Sequence, residues 1–129
     1  MVDFSEVVFT DRELDLMNVL WEHGPSTAAE VQMRLADRLA YTTVLTVLRV
    51  LEAKRHVTHT VEGKAHRFAP TVSRRAAATS SIRYLKQKLF RGSAAMMLTH
   101  VVEDEMDDPA TLQRMRRVLN ERLKVASVG

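Results

Sequence analysis

Apolar residues recur at helical spacing almost from the start of the chain. Leu14, Met17, Leu20 and Trp21 form the stripe of an amphipathic helix. Thr10-Asp11-Arg12-Glu13 carries the S/T-x-x-E spacing of a capping box, in which hydroxyl and carboxylate each satisfy an orphan backbone N–H. A first helix is therefore predicted to begin there and to stop at Gly24-Pro25. A second box, Thr27-Ala28-Ala29-Glu30, opens a helix whose apolar face holds Ala28, Val31 and Leu35 and which is predicted to run to about Arg38. After the short link Leu39-Ala40, the stretch from Tyr41 to Lys54 places Val44, Val47, Leu48 and Leu51 on one face. Its Val and Thr content suits a strand, but its length and the polar Thr46 and Arg49 at helical spacing predict a third helix.

The period then changes to two. Val57, His59 and Val61 alternate with Thr58 and Thr60, Glu62-Gly63-Lys64 supplies a turn, and Ala65 to Ala69 makes a second short run before Pro70. This predicts a hairpin. Ser73 can cap a helix carrying Ile82, Leu85 and Leu89 and ending at Gly92, and Ser93 can cap a short one through Val102. Asp108-Pro109 opens a last helix with the stripe Leu112, Met115, Leu119 and Leu123. The order of helix, helix, tight link, helix and hairpin is that of a winged helix-turn-helix. The predicted fold is mainly α: a winged helix-turn-helix domain with a small β-hairpin wing over residues 1–71, and a C-terminal helical dimerisation region over 72–129.

Composition narrows the function. Of 129 residues, 46% are hydrophobic and 27% charged, enough for a packed core and too apolar for a disordered tract. Cys is absent, which removes disulfides, thiolate ligands and cysteine nucleophiles together. No apolar run approaches the ~20 residues of a membrane span, and Met1 to Glu6 lack the pattern of a secretory signal, so a cytoplasmic protein without membrane insertion is expected. No catalytic spacing of Ser, His and Asp and no Gly-rich phosphate loop is present. The acidic run Glu103-Asp104-Glu105 with Asp107-Asp108 is explained by solvation and helix capping, so neither an enzyme nor a cofactor is expected.

Charge is unevenly placed. Met1 to Asp37 hold two bases and eight acids, whereas Arg38 to Arg75 hold eight bases and two acids. A compact basic block on a helix-turn-helix points to double-stranded DNA. On the third helix the core stripe turns Thr42, Thr46, Arg49 and Ala53 outward, with Leu45 beside them, and Thr42, Thr43, Leu45, Thr46 and Arg49 are the candidates to read DNA. Small side chains let the backbone approach a major groove, hydroxyls meet base edges, an apolar group meets a thymine methyl, and Arg grips guanine. The wing offers Lys64 and Arg67 for phosphates, with Lys54 and Arg55, then Arg74 and Arg75, as further candidates. Ile82, Leu85, Leu89, Leu112, Met115, Leu119 and Leu123 are more apolar surface than a short three-helix tail can bury alone, which points to a second copy.

From Phe9 to about Leu123 the chain resembles the penicillinase-repressor and methicillin-resistance-regulator family of BlaI/MecI type, which includes copper-responsive repressors. The likeness rests on Leu14-Asp15-Leu16-Met17-Asn18-Val19-Leu20-Trp21 leading into Gly24-Pro25, on Tyr41-Thr42-Thr43-Val44-Leu45-Thr46-Val47-Leu48, and on Gly63-Lys64-Ala65-His66-Arg67-Phe68-Ala69-Pro70. Val50 and Arg55 stand where the family pattern has an Arg and a turn glycine. The resemblance implies a homodimeric repressor on a dyad operator, released when a pathway headed by a membrane-bound metalloprotease receptor for β-lactam leads to cleavage in the short penultimate helix. The matching bond is His100-Val101, in place of the family's Asn-Phe. Two other readings stay open from the residues: a winged helix that binds only protein, and a metal-responsive regulator using His56, His59, His66 and His100. The second is disfavoured because His56 and His59 fall on opposite faces of a strand and no ligand set is complete, so no metal site is expected.

Overall fold

The computed structural model describes residues 9–105 and 108–128; the opening stretch Met1 to Glu6 and Asp107 of the acidic run lie outside them. The chain divides into two compact units, Met1–Tyr84 and Leu85–Gly129.

The first unit is a winged helix. Helix α1 spans Asp11–His23, α2 Ala28–Arg34 and α3 Tyr41–Ala53, and both expected capping boxes are formed, Thr10 with Glu13 and Thr27 with Glu30. Helix α2 is shorter than the sequence predicts. At Leu35 the backbone turns extended, with φ −71° and ψ 140°, which lets Leu35 and Leu39 both pack on the core while Gln32 Nε2 donates to Leu39 O at 2.9 Å.

The wing is strands β2 (Val57–Glu62) and β3 (Ala65–Pro70), joined by a two-residue turn in which Gly63 adopts φ 61°. A third strand, β1 (Ser26–Thr27), pairs with β3 in the register Ser26 with Phe68 and Thr27 with Arg67, so the sheet order is β1-β3-β2. Two residues carry no readable period, which is why a hairpin alone was expected.

Leu16, Met17 and Leu20 of α1 meet Val31 of α2, Val44, Leu48 and Leu51 of α3, and Val57 and Phe68 of the wing in one core. The buried face of α1 is rotated from the predicted stripe: Leu14 and Trp21 are only half-buried, while Leu16 and Val19 are buried and so is Glu13. Glu13 can be buried because its carboxylate is fully engaged. One oxygen accepts from Thr10 N at 2.7 Å, and the other takes the Lys54 ammonium at 2.8 Å.

Helix α3 ends in a Schellman turn: Arg55 N donates to Glu52 O and His56 N to Leu51 O, both at 2.9 Å. Arg55 pays for that turn with φ 67°, a conformation costing about 1 kcal/mol relative to glycine. Helix α4 (Arg74–Phe90), capped by Ser73, is tied to this unit at its start, with Ala77 in the core, Trp21 Nε1 donating to Val72 O at 2.8 Å, and the Arg74 guanidinium 5.6 Å from the Trp21 ring centre.

In the second unit, α5 (Ala94–Asp104) runs two residues past the predicted end, capped by Ser93. Helix α6 (Pro109–Val128) starts after Asp108 as expected. No residue of α5 is buried, and Leu89, Val101, Val118, Leu119, Leu123 and Val125 are all exposed. No described helix is long and apolar enough to cross a membrane.

Burial opposes ionisation of Glu13, but the Lys54 ammonium and the Thr10 donors outweigh it and hold the carboxyl below its ordinary value of 4.5. A carboxyl depressed in the folded state stabilises above its unfolded pKa, and that stability is lost as pH falls through the folded value. Glu13→Gln should therefore lower the melting temperature at neutral pH and flatten its fall below about pH 4.5, as thermal denaturation followed by circular dichroism across pH would read. Wild type and variant losing stability in parallel on acidification would show that the pair carries no such linkage.

Candidate nucleic-acid interface

Helix α3 presents the outward face anticipated for it. Tyr41, Thr42, Thr43, Thr46, Arg49 and Val50 are exposed, against Val44, Leu48 and Leu51 at full burial. The cap residue of α3 is Ala40, which makes no side-chain cap bond, so neither Thr42 nor Thr43 is there to cap the helix. The first turn of α3 thus offers its backbone N–H groups, and the positive end of the helix dipole, to whatever approaches. Thr46 Oγ1 donates back to Thr42 O at 2.8 Å, which turns the hydroxyl's lone pairs outward as acceptors. Leu45 is half-buried and packs against the core, so it presents an edge rather than a whole side chain.

Between α3 and the wing lies a cavity of about 240 Å³, lined among others by Tyr41, Leu45, Arg49, Lys64, His66 and Phe68. Arg49 comes from the helix and Lys64 from the hairpin turn. Neither side chain has a hydrogen bond or ion pair among the described residues, so both charges are available to an anion. The wing also meets α3 through the His59 imidazole. His59 Nδ1 meets Glu52 Oε2, and the His59 and His66 rings stack 4.2 Å apart and 6° from parallel. Among the described residues no group of three His, Asp or Glu comes together as a metal site would require.

The other expected phosphate ligands are placed differently. Lys54 is held by the buried Glu13. Arg55 sits in the turn after α3 with its side chain exposed and without a partner among the described residues. Arg74 lies over Trp21 and donates to Asn18 Oδ1 at 3.3 Å, while Arg75 is exposed.

Arg67 is the most engaged of all. Its Nε donates to Glu62 Oε2 at 2.5 Å, its Nη2 to Glu62 Oε1 at 3.3 Å, and its Nη1 to both Glu30 Oε1 and Pro25 O at 3.0 Å. Glu62 and Glu30 raise the guanidinium's pKa, the Glu62 hydrogen bond foremost. In return Arg67 holds the Glu62 carboxyl low, and Glu30 is held low first by the Thr27 N–H. Sequence reasoning saw Arg67 as a free base because its partners are brought in from up to 42 residues away.

In the second unit, Leu85, Leu89, Leu119 and Leu123 are exposed and Leu112 and Met115 half-buried; Ile82, in the first unit, is exposed. His100 and Val101 are both exposed on α5, the His100 ring standing 5.2 Å from that of Phe90.

A helix-turn-helix closed by a hairpin, with an outward face of small side chains and one unpaired cation on its third helix and another in the hairpin turn, is the architecture of winged-helix regulators of transcription. The chain belongs to the penicillinase repressor family, whose sequence pattern matches residues 9–121. It is 37% identical over 115 residues to the transcriptional regulator BlaI of Mycobacterium tuberculosis, in both strain CDC 1551 / Oshkosh and strain ATCC 25618 / H37Rv, covering 86% of this chain and 82% of that protein.

Proposed function

We propose that this protein is a cytoplasmic transcriptional repressor that binds a dyad operator in double-stranded DNA as a homodimer. The observation that carries the reading is the pairing of Arg49 and Lys64 across one cavity, two uncompensated cations on the helix and wing that such a domain sets against DNA. Thr42, Thr43, Thr46 and the edge of Leu45 meet base edges and thymine methyls, Arg49 reads a guanine, and Lys64 and Arg55 take phosphates. The first turn of α3 receives a further phosphate. The family match and the likeness to a transcriptional regulator support this assignment.

Arg49→Ala should cost about 1–3 kcal/mol of discrimination between the duplex upstream of the protein's own gene and a scrambled duplex, by fluorescence anisotropy. Lys64→Gln should weaken binding to both about equally and reduce the salt slope by about 0.9. Equal losses on both duplexes for Arg49→Ala would remove it as a base reader. Wild-type protein binding both alike, with salt abolishing both, would leave only an electrostatic surface and turn attention to a protein partner.

The dimer forms through residues 72–129. Leu119 and Leu123 lie one turn apart on α6, both exposed, and a second copy supplies the cover that solvent does not. Leu119→Arg should halve the mass seen by sedimentation equilibrium and weaken operator binding, because one half-site then holds alone; an unchanged mass would place the dimer contact elsewhere.

Release follows cleavage at His100-Val101. Helix α5 buries none of its residues, so opening it for a protease costs little packing. In the host, inducer should yield fragments ending at that bond, and an intact bond in derepressed cells, read by mass spectrometry, would refute this route.

A further inference from the structure

Arg67 lies midway along the wing, opposite Thr60 and three residues from Lys64, yet its guanidinium is spent. It makes four hydrogen bonds to three separate segments: Glu62 of β2, Pro25 O after α1, and Glu30 of α2. Glu30 is itself fixed, since Oε1 also accepts from Thr27 N at 2.9 Å in the capping box that starts α2. The paired strands β1 and β3 bring Thr27 opposite Arg67, so the fork closes a ring of contacts around the junction of wing and helix-turn-helix.

We infer that Arg67 is a positioning residue for DNA recognition rather than a phosphate ligand: it fixes the hairpin to α2 so that Lys64 stands across the cavity from Arg49. The inference rests on the DNA-binding reading and adds the device that sets where the wing touches. Two features separate this role from a phosphate contact. Only a planar fork reaches three partners in different directions, and an ammonium cannot replace it, whereas a single-point phosphate contact is also made by a Lys ammonium. Moreover, Arg67 is flanked by two carboxylates, so the group of three carries one net negative charge and offers no attraction for the backbone of DNA. Its influence is passed through Lys64, which makes the two residues energetically dependent on each other.

The test is a double-mutant cycle on the full chain with the upstream duplex. Arg67→Gln and Arg67→Lys should each lose affinity by about tenfold, comparable to one mismatched base pair. Adding Arg67→Lys, which keeps the charge beside Glu30 and Glu62, to Lys64→Gln should change affinity by less than about twofold, because the group being positioned is already gone. Hydrogen exchange on the free protein supplies a reading independent of DNA: amides of β1, β2 and β3 should exchange faster in both Arg67 variants while those of α1 keep their protection. Additive losses in the cycle, or wild-type affinity in Arg67→Lys, would overturn the inference, and so would unchanged exchange in the wing. Failure of wild type to discriminate the upstream duplex overturns the repressor reading instead, and the two failures are read in different samples.

Discussion

The carboxylate of Glu13 joins the two ends of the helical half of the winged domain. It caps α1 through Thr10 and grips Lys54 at the end of α3, although its own side chain is only 4% exposed. A charge placed so deeply is tolerated only when every oxygen is engaged, and leaving it unpaired would cost several kcal/mol. The register of α1 follows, because the face that carries Glu13 must also carry Leu16, Met17 and Leu20. The exit of α3 follows as well: with Lys54 drawn back to Glu13, the chain reverses at Arg55 and delivers Val57 into the core as the wing begins.

The wing is fixed at two levels. Phe68 and Val57 anchor its inner end in the core, and the His59–His66 stack with Glu52 packs its middle on α3. On β3 between Phe68 and His66, opposite Thr60, the Arg67 fork adds polar bonds to segments that the core has already immobilised. The cations of α3 and the wing therefore divide into those that hold the fold and those that stay free. Arg67 and Lys54 belong to the first group, Arg49 and Lys64 to the second.

Much of this was legible in the chain. Both capping boxes, the length of α3 and the turn at Gly63 follow from local rules that act within four residues, and the structure forms all of them. The outward face of α3 was legible for the same reason, since three buried residues fix the rotation of the helix. What escaped depends on partners distant in sequence. The stripe on α1 was read one position off because a glutamate is not assigned to a core face unless its lysine, 41 residues on, is known. Arg67 looked like any surface base until folding brought Glu30 to it. Strand β1 has no pattern of its own and exists only because β3 passes beside it.

The bare start of α3 carries a cost that the rest of the domain bears. Ala40 leaves the first turn without a side-chain acceptor, whereas α1 and α2 both begin with a complete box. A serine there would steady the isolated protein, by the usual worth of a cap of about 1 kcal/mol, and would place a competing oxygen in front of the amides that an incoming anion needs. In the DNA-binding reading proposed above, the stability of the free protein and its grip on a phosphate make opposite demands on this one position. On that reading the free domain forgoes one helix cap at the spot where a bound phosphate would complete the helix.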